Sequence, residues 1–506
     1  MTANVNTRYG SLLIAIAALA SGSGVTLSLA PINFWPAGII SCIALLYLLH
    51  QCSTKQAFWR GWLFGLGVFG TGVSWVYVSI HVHGNTNIPL AILLTCIFCA
   101  GLALLHGLLA WCYVRFVRGL PGDILIGMPI LWVLFEWLRS WLLTGFPWLY
   151  LGYAHIDTWL AGWAPVLGIY GLSLFCSITA SCIYLAWHHR GSTRQLTYAL
   201  IPLGVWLLGA QLKSVEWVES QSEKTVSVAI YQPNIPQEHK WDRAWYQPIL
   251  EQYQTATEPL YGQDIVIWPE SAIPNFYQRS RSFLDPIAQR SGDTGTTLIT
   301  GIPFRADDSD AYFNSIVALG AGEGAYHKQR LVPFGEYLPL EKQLRGLISF
   351  FDLPMSSFSP GLPNQAFLRA GKHKVAPYIC YEVVYPDLVA KKASSADILI
   401  TISNDSWFGS SLGPLQHLQM AQMRALENGR YMIRATNNGI SAIIDHQGRL
   451  IKQTPQFVET TLQSEVVVMS GRTPFGYFGS TPLLLACALV LGLMAVAKRL
   501  GRRADS

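Results

Sequence analysis

The sequence predicts a membrane protein in two parts: a multi-pass α-helical membrane domain of eight transmembrane helices, and a water-soluble α/β domain inserted before the last of them. Three observations carry this. Of the 506 residues, 51% are hydrophobic and 13% charged, where a soluble domain carries about a quarter charged residues. No Asp, Glu, Lys or Arg stands between Gly61 and Val114, or between Thr158 and His189, and a spanning helix needs about 20 mostly apolar residues. The charges crowd instead into residues 221–470, which hold 24 of the 30 acidic and 21 of the 35 basic residues. The formal charge of +5 therefore comes from bases set between apolar runs. Membrane topology explains them, and no nucleic-acid partner is expected.

The eight spans are expected near 9–29, 35–51, 59–81, 88–114, 124–145, 161–187, 195–213 and 479–497. This divides the chain into a membrane domain of seven spans (1–213), a soluble domain (214–475), and an eighth helix with a basic tail (476–506). Alternate loops carry Arg8, then Lys55 and Arg60, then Arg115 and Arg118, then Arg190 and Arg194, and finally Lys498, Arg499, Arg502 and Arg503. The short loops between them, around Pro31–Phe34, His81–Asn87 and Phe146–Trp159, carry no Lys or Arg. By the positive-inside tendency both termini are cytoplasmic, and residues 214–475 face the periplasm or exterior. The first span has a rival reading as a cleaved signal peptide ending at Ser28-Leu29-Ala30, which Pro31 directly after it disfavours.

In the soluble half, Val226–Tyr231, Asp264–Trp268, Thr297–Gly301, Ser315–Leu319, Val375–Cys380, Ile398–Ser403 and Ile440–Asp445 read as strands, being short and rich in β-branched or apolar residues. Helical patterns over Trp241–Ala256 and Leu415–Leu426 lie between them, which suggests a layered α/β domain.

Eight of the nine cysteines fall in or beside the expected spans, where Cys serves as a small apolar filler. Only Cys380 lies in the soluble half, on an oxidising side of the membrane and without a disulfide partner. Such a cysteine is either buried and inert or does chemistry. It ends the run Val375-Ala-Pro-Tyr-Ile-Cys380, and a nucleophile at a strand end before a turn is presented at a sheet edge. No cysteine spacing fits a structural zinc site, so no metal is expected, and the sequence calls for no cofactor.

A nucleophilic Cys needs a base and a group to hold the oxyanion. Glu270 stands just past the apolar run Asp264-Ile-Val-Ile-Trp-Pro, and Lys328 stands before a turn rich in Pro and Gly. Read locally, each is equally a solvated surface charge, and His327 is a rival base. Taken together, Trp268-Pro-Glu270-Ser, Lys328-Gln-Arg-Leu-Val-Pro-Phe-Gly-Glu336 and Ile379-Cys380-Tyr-Glu382 resemble the Glu–Lys–Cys pattern of the nitrilase superfamily. Further segments resemble the bacterial apolipoprotein N-acyltransferase family: Phe351-Asp-Leu-Pro-Met-Ser-Ser-Phe-Ser, Thr401-Ile-Ser-Asn-Asp-Ser-Trp-Phe-Gly409, Arg434-Ala-Thr-Asn-Asn-Gly439, Trp75-Val-Tyr-Val-Ser79 and Thr144-Gly-Phe-Pro-Trp148. The resemblance covers nearly the whole chain. Arg330 departs from it, where many relatives are expected to carry His.

The resemblance implies an inserted nitrilase-like domain built as an α-β-β-α sandwich in a bacterial inner-membrane acyltransferase. Its substrates would be a phospholipid acyl donor, typically phosphatidylethanolamine, and the α-amine of a diacylated apolipoprotein; the protein would meet membrane lipid and act as a monomer. Glu270 would be the general base and acid, Lys328 the oxyanion stabiliser and Cys380 the nucleophile. Glu336 and Glu382 would orient Lys328 and tune the site, and Tyr381, Trp241, Asn314 and Trp148 would support it or bind substrate. The bland reading of these is surface acids, packing aromatics and a turn asparagine. Leu347–Phe358 is too apolar for a free loop and reads as a lid dipping into the bilayer surface or as a buried connector. Glu136 and Arg139, one helical turn apart, read as a buried ion pair. Two rivals remain: a membrane-anchored amidase using water as acceptor, and a transporter, which would show broken helices or a repeat.

Overall fold

The structure is a computed structural model that describes residues 2–306, 310–339, 341–344, 346 and 357–504. It divides into two compact units: residues 1–76, 92–216 and 478–506 form the first, and residues 77–91 and 217–477 the second.

The first unit is helical. Among the described residues, five stretches are long and apolar enough to cross a membrane: Gly10–Ser28, Ile88–Val117, Trp159–His188, Thr193–Leu212 and Thr481–Lys498. A sixth is added if the bent pair Thr54–Gly72 and Val76–His83 is one span. Two of the eight expected spans are shorter than the sequence suggests. Pro36–Leu49 has 14 residues. The expected span at 124–145 is helical over its first part only: a π-helix over Asp123–Gly127 runs into an α-helix over Met128–Arg139, and beyond it Leu143, Thr144 and Gly145 adopt positive φ, which is incompatible with regular helix. Close helix contact depends on glycine. A Cβ on Gly22 would stand 1.9 Å from the Phe64 carbonyl oxygen, so these backbones meet only because no side chain intervenes.

The expected Glu136–Arg139 ion pair is not formed. Both side chains are buried, but Glu136 Oε1 accepts from the Trp132 indole (3.0 Å) and the Leu151 N–H (2.9 Å). The Arg139 guanidinium lies instead over the rings of Phe69 and Tyr150. Each charge has found closer polar or aromatic partners than the other.

The second unit contains two sheets. The first has the order β13-β1-β2-β3-β4-β6, with β1 at Val218–Gln232, β2 at Ile265–Ile267, β3 at Thr297–Arg305, β4 at Tyr312–Gly320, β6 at Ala325–His327 and β13 at Thr460–Gly471. The second has the order β12-β11-β10-β9-β8-β7-β5, with β5 at Gly322–Glu323, β7 at Leu368–Ala370, β8 at His373–Ile379, β9 at Ile398–Ser403, β10 at Met432–Thr436, β11 at Ala442–Ile444 and β12 at Leu450–Gln453. Strands β1, β2 and β3 run parallel, as do β8, β9 and β10. Parallel strands are covered on both faces and read as continuous apolar runs; β2 and β9 are buried at every position.

The inner faces of the two sheets form one core, in which Val228, Ile230, Ile267, Ile299 and Ile316 meet Ile379, Ile400, Ile402, Ile433 and Ile443. On the outer face of the first sheet, Trp268, Val266 and Leu298 pack with Ile249, Leu250 and Tyr253 of helix Arg243–Thr257 and with Leu284 and Ile287 of helix Arg281–Asp293. Helices Pro386–Ala393 and Gly413–Asn428 lie against the second sheet. The unit is thus a helix–sheet–sheet–helix sandwich. Of the proposed lid Leu347–Phe358, residues 347–356 lie outside the described residues; Phe358 is buried with its ring edge-on to Tyr312.

Candidate active site

Ligand and catalytic groups of parallel sheets gather beyond the carboxyl ends of the strands. Here the ends of β2, β8 and β9 bring up Glu270, Cys380 and Ser403-Asn404. The turn after β2 packs on β3 through one position that tolerates only glycine: a Cβ on Gly301 would stand 2.6 Å from the Pro269 carbonyl oxygen and 2.7 Å from the Glu270 Cα. Glu270 is buried at 7% exposure. Its Oε1 accepts from Asn314 Nδ2 at 2.7 Å and faces Lys328 Nζ at 3.5 Å, while its Oε2 accepts the Asn404 N–H at 2.8 Å.

Lys328 directly follows β6, and its N–H donates to the carbonyl of Asn314 on β4, continuing the ladder. Its ammonium, 1% exposed, donates to Glu336 Oε1 at 2.8 Å. Burial alone would pull this lysine down, but Glu336 and then Glu270 outweigh it and hold its pKa well above the usual lysine range. It is a fixed cation, not a base. Asn314 Nδ2 reaches Glu336 Oε1 as well, at 2.8 Å, so one amide links both carboxylates. Glu336 Oε2 takes the Val332 N–H, which folds the loop after Lys328 back on itself.

Cys380 follows β8 with φ +50, a left-handed conformation that costs a non-glycine residue energy and recurs at functional turns. The turn is held by Glu382. Its Oε2 accepts the Ile379 N–H, and its Oε1 accepts from the Tyr326 hydroxyl and the N–H groups of Gln329 and Arg330. One buried carboxylate therefore clamps the cysteine turn to the lysine loop. Burial raises its pKa, and these donors oppose the rise.

Cys380 keeps some open surface, yet its sulfur is deep enough that burial, followed by the negative charge of Glu270, pushes the thiol far up, with Lys328 opposing. At neutral pH it rests as a thiol. Its hydrogen bond is with Ser403 Oγ at 3.3 Å, not with Glu270 or Lys328. Ser403 has one hydroxyl proton and the Asp405 carboxylate at 2.7 Å to receive it, so the thiol donates to Ser403. Asp405 is held ionised: burial works against it, but Arg434 at 2.6 Å and His417 depress its pKa below the ordinary range. Arg434 Nη2 also faces His417 Nδ1 at 3.1 Å. The same Nδ1 stands 3.3 Å from Asp405 Oδ1, and His417 Nε2 faces the Cys380 carbonyl at 3.2 Å, so this imidazole ties the Asp405–Arg434 pair to the cysteine backbone.

The chain resembles known proteins on both sides of its unit boundary. Residues 21–182 match the family model of the apolipoprotein N-acyltransferase N-terminal domain, and residues 227–473 that of carbon-nitrogen hydrolases. An apolipoprotein N-acyltransferase of Pseudomonas paraeruginosa is 46% identical over 494 residues, covering 96% of this chain and 95% of that protein. The chain belongs to the apolipoprotein N-acyltransferase family. The Vibrio parahaemolyticus apolipoprotein N-acyltransferase is 39% identical and covers 97% of this chain and 98% of that protein. A carbon-nitrogen hydrolase superfamily structure from Xanthomonas campestris, 16% identical with a TM-score of 0.37, covers 48% of this chain and 91% of that one.

In this apolipoprotein N-acyltransferase relative, six of the nine residues singled out from sequence stand in one buried cluster: Glu270, Lys328, Cys380, Asn314, Glu336 and Glu382. Tyr381 is buried beside it, its ring edge-on to Tyr385. Trp241 is 42% exposed at the end of helix Gln237–Lys240. Trp148 belongs to the helical unit, where it is buried, stacked with Phe146 and tilted against Trp75. Sequence reasoning did not assign Ser403, Asp405, His417 or Arg434. Three of these lie in the segments Thr401–Gly409 and Arg434–Gly439 that carried the resemblance, which was the available signal. His417 lies in a helix, and nothing in its local sequence marks it.

Proposed function

We propose that the protein transfers a fatty acyl chain from a phospholipid, typically phosphatidylethanolamine, to the α-amine of the N-terminal S-diacylglyceryl-cysteine of apolipoproteins. The reaction runs as a ping-pong cycle through a thioester on Cys380. The observation that supports this most is the buried Glu270–Lys328–Cys380 cluster at adjoining strand ends, in a chain of this family.

Substrate entry turns the S–H from Ser403 toward Glu270, which takes its proton; catalytic hydrogen bonds often tighten only in the complex. The thiolate attacks the ester carbonyl of the phospholipid. Lys328 and a backbone N–H beside Cys380 hold the oxyanion, the kind of stabilisation whose loss costs about 10²–10³ in rate. Glu270 then protonates the departing lysophospholipid alkoxide and leaves the acyl thioester. In the second half it removes a proton from the incoming ammonium, and the amine displaces the thiol. A thioester is far more reactive to amines than an oxygen ester, so one hard aminolysis becomes two easier steps. Glu336 and Glu382 orient Lys328 and the cysteine turn, while Tyr381, Trp241 and Trp148 contribute to substrate contact.

The alternating bases in the loops support a topology of eight spans, with both termini cytoplasmic and residues 214–475 periplasmic at a bacterial inner membrane. The shorter helices Pro36–Leu49 and Met128–Arg139 then complete the count. The protein works as a monomer without cofactor or metal.

The test is a transfer assay. Purified protein is mixed with phosphatidylethanolamine labelled in its acyl chains and a synthetic diacylated lipopeptide. Label should appear as N-acyl lipopeptide, and Cys380→Ala should abolish it. Labelled free fatty acid with unmodified lipopeptide would instead support a hydrolase.

A further inference from the structure

The described acid–base cluster contains a second buried lysine. Lys240, at the end of the short helix Gln237–Lys240, is 1% exposed. An ammonium has three protons to donate, and its hydrogen bond in the structure is a single one, to the backbone carbonyl of Glu270 at 2.9 Å. The same helix reaches Glu270 a second way. Gln237 Oε1 accepts from Asn404 Nδ2 at 2.7 Å, and the Asn404 N–H is the donor to Glu270 Oε2.

The charges facing Glu270 make Lys240 more than a packing residue. The cluster holds two carboxylates, Glu270 and Glu336, joined by Asn314. Lys328 is closer to Glu336 (2.8 Å) than to Glu270 (3.5 Å). The other acids nearby have their own partners: Asp405 pairs with Arg434, and Glu382 takes one hydroxyl and three backbone N–H donors. Elsewhere on its helix, His239 stacks on Trp245 and Glu238 is exposed. Without Lys240 the pair of carboxylates would have one cation between them.

We propose that Lys240 is a positioning residue for the general base: it anchors the backbone of Glu270 through its carbonyl and places a second positive charge beside the Glu270–Glu336 pair. Burial lowers this lysine, with Glu270 opposing, to about 8, so its charge is present at neutral pH and below. The inference rests on the acyl-transfer reading of the site. During the first half-reaction the proton moves from the Cys380 sulfur to Glu270, so the count of two cations and two anions is kept: the thiolate replaces the Glu270 carboxylate.

The test is the pH dependence of lysophospholipid release in full-length protein with Lys240→Met, Lys240→Gln and Lys240→Arg. An opposite charge nearby lowers a carboxyl pKa. Removing the cation should therefore move the acid limb of the rate profile upward in Met and Gln, by up to about one pH unit. Gln keeps a donor for the Glu270 carbonyl and is the milder change if Met does not fold. Arg, which keeps the charge, should hold the acid limb near that of the unmodified protein. A rate that falls equally at all pH values in Met or Gln, with the acid limb in place, would reduce Lys240 to a structural role. Absence of acyl transfer in the unmodified protein would instead overturn the function on which the proposal stands.

Discussion

At Asn314 a single side-chain amide separates two buried carboxylates, donating to Glu270 at 2.7 Å and Glu336 at 2.8 Å. Hydrogen bonds to charged groups contribute about 1.5–3 kcal/mol each. In Asn314→Ala both acids lose a donor and must share Lys328 more closely. The expected result is a fall in kcat of about 10- to 100-fold with KM for the lipopeptide little changed, read in the transfer assay. Equal loss of kcat/KM through KM alone would place Asn314 in substrate binding instead. At this scale the sequence was most legible where a reactive residue ends an apolar run. Cys380 and Lys328 directly follow β8 and β6, and Glu270 stands three residues past the end of β2. Glu336 and Glu382 were found because they stand eight and two residues from Lys328 and Cys380. Asp405, His417 and Arg434 were not assigned, because their meaning lies in partners 12 to 29 residues away. A polar residue in a buried helix or strand carries no local mark of what it will face. Lys240 was missed for the same reason: in sequence it belongs to a polar stretch, and only folding places it against the Glu270 carbonyl 30 residues on.

The elements set how finely these groups are placed. The turn after β2 carries Glu270 and lies so close on β3 that Gly301 has no room for a methyl group. Overpacking a well-filled core costs about 1–3 kcal/mol, and here the shift falls on Glu270, the proposed base. Gly301→Ala should fold with reduced thermal stability and lose more activity than its stability loss explains. Full activity in a folded variant would mean that the turn adapts freely. Strands read from composition came out well where both faces are buried: Ile398–Ser403 coincides with β9 from end to end. Strand β10 escaped because Arg434 sits in its middle and interrupts the apolar run, although the guanidinium is fully buried on Asp405. Strand β13 alternates buried and exposed positions beside β1, a weaker signal than continuous burial. Among the membrane helices, charge-free runs gave the long ones. Hydropathy does not register backbone geometry: the span expected at 124–145 begins as a π-helix over Asp123–Gly127 and stops short of the positive-φ residues Leu143, Thr144 and Gly145.

At the scale of the whole molecule, composition and charge divide the chain into an apolar part and a charge-rich part; the structure holds a helical unit and a sandwich unit, the second of which includes residues 77–91 that the sequence reading assigns to the membrane part. The proposed chemistry gives this division a purpose. Both substrates carry acyl chains, each buried CH₂ contributes about 0.8 kcal/mol, and neither chain leaves a lipid phase readily. The thioester must also meet an amine before it meets water. An acyltransferase of this kind gains from joining a thiol site to a membrane body, whereas a hydrolase needs only an anchor. The central claim is that the sulfur of Cys380 carries the acyl group between the two substrates. It is tested by incubating the protein with phosphatidylethanolamine in the absence of acceptor and measuring the mass of the Cys380 peptide. The account expects one acyl chain on that sulfur, absent in Cys380→Ala and discharged when diacylated lipopeptide is added. Acyl transfer at an undiminished rate in Cys380→Ala, with no adduct on the unmodified protein, would contradict it.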